Sequence, residues 1–379
     1  MINDADNQEL INAIALSRLN YFSLDGLVQL YQLMGSATEV VKHRFDIRSV
    51  LPDASDKLEY ALKNMDDALH RAEAELQWDM EHNVQVLCMN SINYPQRLKN
   101  CADAPLVLFY RGTANLNQAR VINMVGTRKC TLYGQDIIRR FVRELNELCP
   151  GVLVVSGLAY GVDINAHVNA LENGMETVGV LAHGLDTLYP AAHRNTANRM
   201  VKQGGLLTEF LTLTNADKMN FVRRNRIVAG MCDATILVES ARKGGGLITT
   251  GIANSYGRDV FAFPGPVTAT YSEGCNNLIR DNGAQLISNA ADFVNAMGWQ
   301  DAAQLQQARK EGIERQMFPE LSADEQRVVN ELKQHNDLQI NLLTVKTGLP
   351  IAKLTAVLFT LELKGVLKQM AGGTCHLMN

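Results

Sequence analysis

The chain of 379 residues contains no run of about 18 apolar residues, so no membrane-spanning helix and no membrane partner are expected. Its start, MINDADNQEL, has neither a basic n-region nor an apolar h-region, which argues against a secretory leader and for a cytoplasmic protein. Cysteine is scattered: the seven residues at 88, 101, 130, 149, 232, 275 and 375 form no CxxC pair. An odd, dispersed set reads as reduced thiols rather than a disulfide framework or a zinc site. The eight histidines give no HExxH, and no H-x-E accompanies a P-C-x-x-C, so no metal is expected. There is no GxSxG elbow, no Gly-Lys-Ser/Thr of a Walker A loop, and no GxGxxG near the first buried strand. No catalytic residue and no cofactor are therefore assigned.

What is present begins with a division of charge. The net charge of −4 hides a split, because residues 1–85 hold 15 acids and 7 bases. Residues 218–258 carry seven bases against Asp233 and Glu239. Salt screens charges beyond about 8–10 Å, so the local excess matters more than the total.

The hydrophobic texture divides the chain in four. Residues 1–80 read as short helices with apolar residues at helical spacing (ELINAIALSRL, LDGLVQLYQLM), ending in a charged helical stretch over SDKLEYALKNMDDALHRAEAELQWDMEHN. Over 81–300, short apolar runs alternate with helical patterns: VQVLCM, LVLFYRG, RVINMVGTR, VLVVSG, TVGVLAHG, LLTEF, ATILVES, DVFAFPG and AQLIS. Near-continuous apolar strands alternating with helices predict an α/β fold with a doubly wound, mostly parallel, Rossmann-like sheet. Residues 301–320 are polar and read as a linker. Residues 321–379 read as helix, turn (TGLP), helix and hairpin, a helix-turn-helix arrangement.

Four segments carry candidate chemistry, each where a strand gives way to a helix, the place where open α/β sheets bind ligands. In VINMVGTRKCTLYG, Gly126 permits a tight turn at Thr127, the following helix offers its N–H groups to a phosphate, and Arg128 is placed for a bidentate contact. A purely local salt bridge is the plain alternative for Arg128. In LVVSGLAYGVDINAH, Ser156 and Gly157 repeat the device, and Gly161 serves either the same cradle or close packing. Asp163 and His167 are four apart; Asp163 reads as a helix N-cap and His167 as a packed histidine. Between LLTEF and ATILVES, a basic loop crowds Lys218, Phe221, Arg223, Arg224, Asn225 and Arg226 into nine residues. An aromatic among cations suits a single strand, with bases on the ring and phosphates on the cations. A solvated loop is the alternative, and at least one of these arginines is expected to turn inward. In ARKGGGLITTG, Lys243 and Gly244, Gly245 and Gly246 precede a helix with Thr249 and Thr250, again a phosphate-cradle pattern.

In this order the motifs resemble the DprA (Smf) family of DNA-processing proteins. The resemblance is carried by YPQRLKNCADAPLVLFYRG, VGTR, SGLAYGVDINAH, VGVLAHGLDTLYPAAHRN, FVRRNRIVAG, GGGLITTGIAN, VFAFPG and SEGCNNLIRDNGAQLI, densely over 94–288. It implies an N-terminal sterile-alpha-motif or helix-hairpin-helix-like domain and a C-terminal winged helix. It also implies single-stranded DNA binding without sequence readout, protection of incoming DNA, homodimerisation, and loading of the RecA recombinase during natural transformation. The implied pocket residues are Arg128, Lys218 and Phe221; the implied dimer or RecA contacts lie at Asn276, Ile279 and Leu286. The chain departs from the family's FPxRNR at Val222, which replaces proline.

Two other classes remain. GGGLITTG faintly resembles the PGGxGTxxE motif of nucleoside-monophosphate phosphoribohydrolases, but Gly251 and Ile252 follow Thr250 where that enzyme needs its glutamate. A transcription-factor-like role would rest on the C-terminal helices, whose second helix offers only Lys353 and Lys364 to phosphates.

Overall fold

A computed structural model describes residues 4–19, 24–299, 321–335, 338–364, 366–370 and 373–377. The chain forms two compact units, Met1–Ala303 and Gln304–Asn379. The expected linker at 301–320 lies outside the described residues.

The first unit opens with five helices: α1 (Asp4–Ser17), α2 (Leu24–Met34), α3 (Ala37–Lys42), α4 (Asp56–Lys63) and α5 (Asp66–Glu81). Two strands follow, β1 (Gln85–Cys88) and β2 (Val107–Gly112), separated by the short α6 (Gln96–Lys99). The alternating part then runs β3 (Val121–Val125), α7 (Leu132–Leu148), β4 (Leu153–Ser156), α8 (Val162–Glu172), β5 (Thr177–Val180), α9 (Arg194–Lys202) and β6 (Gly204–Thr208). It continues with α10 (Lys218–Gly230), β7 (Ala234–Leu237), α11 (Gly245–Ser255), β8 (Asp259–Ala262), α12 (Glu273–Arg280), β9 (Gln285–Leu286) and α13 (Ala290–Ala296).

The nine strands form one sheet in the order β1-β2-β6-β5-β4-β3-β7-β8-β9. From β6 to β9 every pairing is parallel. The chain winds outward from β3 through β4 and β5 to β6, then returns to lay β7 on the other side of β3. That return makes β3/β7 the switch point of a doubly wound sheet. The β1 and β2 strands extend the sheet antiparallel, with Phe109 opposite Thr208. Their apolar runs resemble those of the parallel strands, so the sequence carries the strands but not their direction.

Alternation along β3 separates two faces. Ile122 and Met124 pack with Phe141 and Val142 of α7, Ala166 of α8 and Phe293 of α13. Val121 and Val125 face the other way, in the cluster that holds Ile227 and Val228 of α10. Asn123 is fully buried between them and donates to Val228 O at 3.2 Å and Thr235 Oγ1 at 2.8 Å. The helices before β1 share one hydrophobic cluster with β1 and β2, from Ile14, Val40 and Leu62 to Leu87 and Leu108. The helical part gives way to strand between Glu81 and Gln85, and the compact units divide at Ala303 and Gln304.

The second unit holds α14 (Ala323–Gln334), β10 (Leu338–Gln339), α15 (Ile340–Thr347), α16 (Ile351–Leu363), β11 (Leu367–Met370) and β12 (Thr374–Leu377). Three strands pair in the order β10-β12-β11 beside three helices, the winged-helix arrangement. Its core is its own, built on Val328, Leu332, Leu343, Leu354 and Leu358. No single described helix is long and apolar enough to cross a membrane.

Candidate nucleic-acid interface

At the carboxyl ends of β3, β4 and β7 the structure opens a cleft of about 590 Å³. Its walls come from the turns leading into α7, α8, α10 and α11, which the switch point brings to one edge of the sheet. Gly126, Thr127 and Arg128 form one wall, Gly157 to Asp163 a second, and Lys243 to Thr249 a third. The first turns of α10, with Lys218, Phe221, Arg224 and Asn225, close the fourth side.

The N-termini of α7, α8 and α11 differ in what they offer an anion. That of α7 is taken. The buried Glu239 carboxylate accepts from Thr131 N at 2.8 Å and Thr131 Oγ1 at 2.6 Å, so the dipole is answered from within the protein. The expectation of a phosphate seat on α7 is corrected accordingly, and the turn contributes Gly126 to Arg128 instead. At α8 the N-cap is Gly161 and not Asp163; the Asp163 carboxylate accepts from Ala159 N at 3.3 Å. Gly161 has φ +80° and lies against Thr127, where a Cβ would meet the carbonyl oxygen at 2.1 Å. The α11 terminus is open. Gly244 caps it without a side chain, its first turn has no acid, and the Gly245 and Gly246 N–H groups meet no acceptor among the described residues. A cluster of this kind attracts a phosphate oxygen.

The segment expected as a basic loop is α10. Asp217 caps it by accepting from Asn220 N at 2.8 Å. Its buried stripe runs 224, 227, 228, 231, at helical spacing, and the first member is an arginine. Arg224 donates from Nη1 to Gly157 O at 2.6 Å and to Val180 O. Burial, with Arg128 close by, pulls its guanidinium down to about 10 against the opposing charge of Asp163, which leaves it cationic at neutral pH. Arg226 turns to the far side of the helix. It is buried there, donating to Asp103 O at 2.6 Å and Glu209 Oε2 at 2.5 Å. It does not line the cleft, and its place among the expected DNA contacts is corrected: its charge is spent on holding α10 to the sheet. Ser156 is also fully buried and donates to Met124 O at 2.6 Å, so it ties β4 to β3 and does not face the cleft.

Phe221 is the aromatic centre of the site. Arg128 lies 5.1 Å and Arg224 6.0 Å from its ring centroid, and the Tyr189 ring 5.8 Å away at 58°. Arg128, Lys218 and Lys243 are exposed and make no ion pair with a described residue, so three exposed cations surround one buried cation. His167 lies behind the site. Burial and the nearby Arg224 charge lower its pKa to about 3, and its Nδ1 sits 2.7 Å from Thr177 Oγ1. With Asp163 bonded elsewhere, the two form no proton-transfer pair. Among the described residues no group of three His, Cys, Asp or Glu could hold a metal.

The cleft thus gathers Gly126, Thr127, Arg128, Gly157, Lys218, Phe221, Arg224, Asn225, Lys243, Gly245 and Gly246. Sequence reasoning missed Tyr160 and Tyr189, which also line it. Both stand in quoted motifs, GLAYG and TLYP, but only the folded turns bring them to the same edge. Of the residues expected to contact a partner, Asn276 binds Gly265 through both its N–H and C=O, at 3.1 and 2.9 Å, and Ile279 packs on the core. Both are partly buried and have these contacts within the chain; Leu286, on the outermost strand β9, is 46% exposed.

The family model described as DNA recombination-mediator protein A matches residues 85–298, and the DprA winged helix domain matches 316–373. DNA processing protein DprA of Streptococcus pneumoniae is 38% identical over 202 residues, 53% of this chain and 70% of that protein. Protein Smf of Escherichia coli is 31% identical over 312 residues, 80% of each. The X-ray structure of the S. pneumoniae protein superposes with a TM-score of 0.62 at 30% identity, covering 78% of this chain and 98% of that one. A Helicobacter pylori DprA structure, described by its single-stranded DNA binding mode, gives 0.51 at 28% identity over 56% of this chain and 95% of that one. The family model takes in the whole alternating sheet and every wall of the cleft, and this chain belongs to the DNA recombination-mediator protein A family, the DprA and Smf proteins.

Proposed function

We propose that the chain binds single-stranded DNA without sequence readout and acts non-catalytically as a recombination mediator in the cytoplasm, protecting the strand and passing it to a RecA-type recombinase during natural transformation. The observation that carries this reading is the joining, in one cleft, of an open α11 N-terminus, unpaired Arg128, Lys218 and Lys243, and the ring of Phe221. Cations and amides take phosphates, and the ring takes a base. The exposed β9 edge with Leu286 supports a homodimer or partner contact there. Of the carboxylates that line the cleft, Asp163 accepts from Ala159 N and Asp217 caps α10 by accepting from Asn220 N, which supports a non-catalytic reading.

Binding of a labelled oligothymidine across a salt series tests this. Arg128→Ala and Lys218→Ala should each reduce the slope of log K against log salt by about 0.7. Phe221→Ala should cost about 1–3 kcal/mol with the slope intact. A double Arg128, Lys218 variant that binds like the wild type at every salt concentration overturns the assignment, and free base released from a mononucleotide revives the hydrolase.

A further inference from the structure

A second cavity, of about 450 Å³, lies between α9, β6 and β2, next to the cleft. The two share a wall, for Tyr189 lines the cleft while Leu188, the preceding residue, lines the second cavity. The two spaces adjoin there, since Leu188 and Tyr189 are consecutive residues. Arg111, Arg194 and Lys202 line this groove. All three are exposed, and none makes an ion pair or a side-chain hydrogen bond with a described residue. One acid, Asp186, lines it too; its Oδ2 accepts from Leu213 N at 3.0 Å and its Oδ1 is buried without a partner among the described residues, against three cations. The helix that carries two of the cations, α9, has the sequence RNTANRMVK, with three basic residues and no acid.

Three unpartnered cations in a concave surface repel one another and hold a counterion atmosphere, which a polyanion releases on binding. A folding role would show carboxylate or carbonyl partners of the kind that Arg224 and Arg226 have. We propose that this groove is a second phosphate-binding tract, and that a single strand seated in the cleft crosses Tyr189 and continues along α9. The proposal rests on the reading of the cleft given above. The strand passes over Tyr189, whose ring, half exposed and tilted against Phe221, is placed to stack on the base at the crossing. The polarity of the surface is then continuous: Arg128 and Lys218 on one side of the tyrosine, Arg194, Arg111 and Lys202 on the other.

The test is a length series of oligothymidines, titrated at several salt concentrations against the full chain, the Arg111→Ala/Arg194→Ala/Lys202→Ala triple variant and Arg128→Ala. The triple variant should bind the shortest oligomers like the wild type and lose the gain in affinity that longer ones bring. Its salt slope on long oligomers should fall by up to about 2, at about 0.7 per lost phosphate contact. Arg128→Ala should weaken every length. A triple variant with wild-type affinity and slope at all lengths overturns the second tract and leaves the cleft standing. Equal weakening at every length also overturns it, since the cations then act on the cleft or the fold. A wild-type chain that binds no oligomer overturns both readings.

Discussion

Arg224 reaches its place because residue 157 has no side chain. A Cβ there would stand 2.3 Å from Nη1, in the space between the carbonyls of Gly157 and Val180 that hold the guanidinium. The arginine cannot retreat without leaving a buried charge unpaired. We predict that Gly157→Ala destabilises the chain by about 1–3 kcal/mol, the range for an overfilled interior, and weakens oligothymidine binding with it. Urea unfolding and anisotropy titration read both, and a variant equal to the wild type in both would remove Arg224 from the site. This pair also shows what a sequence hides. The glycine turn was legible from SG after an apolar run, and the cation from RRNR. Their contact spans 67 positions and leaves no mark in either segment. Arg226 misled for a related reason: Glu209, its partner, lies in the strand-end segment before the helix and carries no label of burial.

The sequence of α10 reads as a loop because a buried arginine occupies the first position of its apolar stripe. Restoring Arg224 to that stripe restores the helical period. The strand–helix alternation was legible since parallel strands are apolar on both faces. The helix α5, outside the cleft, governs a segment that leads to it. Arg71 donates to Thr212 O at 2.9 Å, and the buried Glu75 accepts from Thr212 N at 2.7 Å, fastening the turn between β6 and α10. One turn on, Asp79 is buried with neither carboxylate oxygen bonded. Burial first, and the Glu75 charge second, push its pKa up to about 8. The folded chain therefore keeps a proton that the unfolded chain gives up near pH 4, so this group's contribution to stability falls as pH rises from about 4 to 8 and is level above that. Asp79→Asn should flatten the decline, making the variant the more stable at pH 8 by on the order of a few kcal/mol and the difference small at pH 4. Urea midpoints taken across that range decide it: parallel curves for the two chains would mean that Asp79 is ionised in the fold.

The whole molecule divides its labour between two units. Every residue of the cleft lies in the first, Met1–Ala303. In the second, the cations of α16 are neutralised, Lys353 by Asp324 at 2.5 Å and Lys364 by Glu325 at 2.8 Å. The same helix exposes Phe359 and Leu363, at 60% and 74%. A surface of that kind suits a protein contact better than a phosphate backbone. A chain ending at residue 303 should keep the oligothymidine affinity and salt slope of the full chain; loss of binding on truncation would assign DNA contacts to the second unit.

The switch point sets a timetable as well as a site. Ile122 of β3 pairs with Ala234 of β7, and Asn123 bonds Thr235 across 112 residues. At synthesis rates of about 5–20 residues per second, the β3 edge waits roughly 5–20 s for its neighbour. Until β7 arrives, the turn after β3 has no Glu239 to close α7 and no α11 to face. The cleft of a nascent chain therefore stays without its Lys243–Thr249 wall until β7 and α11 have been made, while β8 and β9 are still to join the sheet.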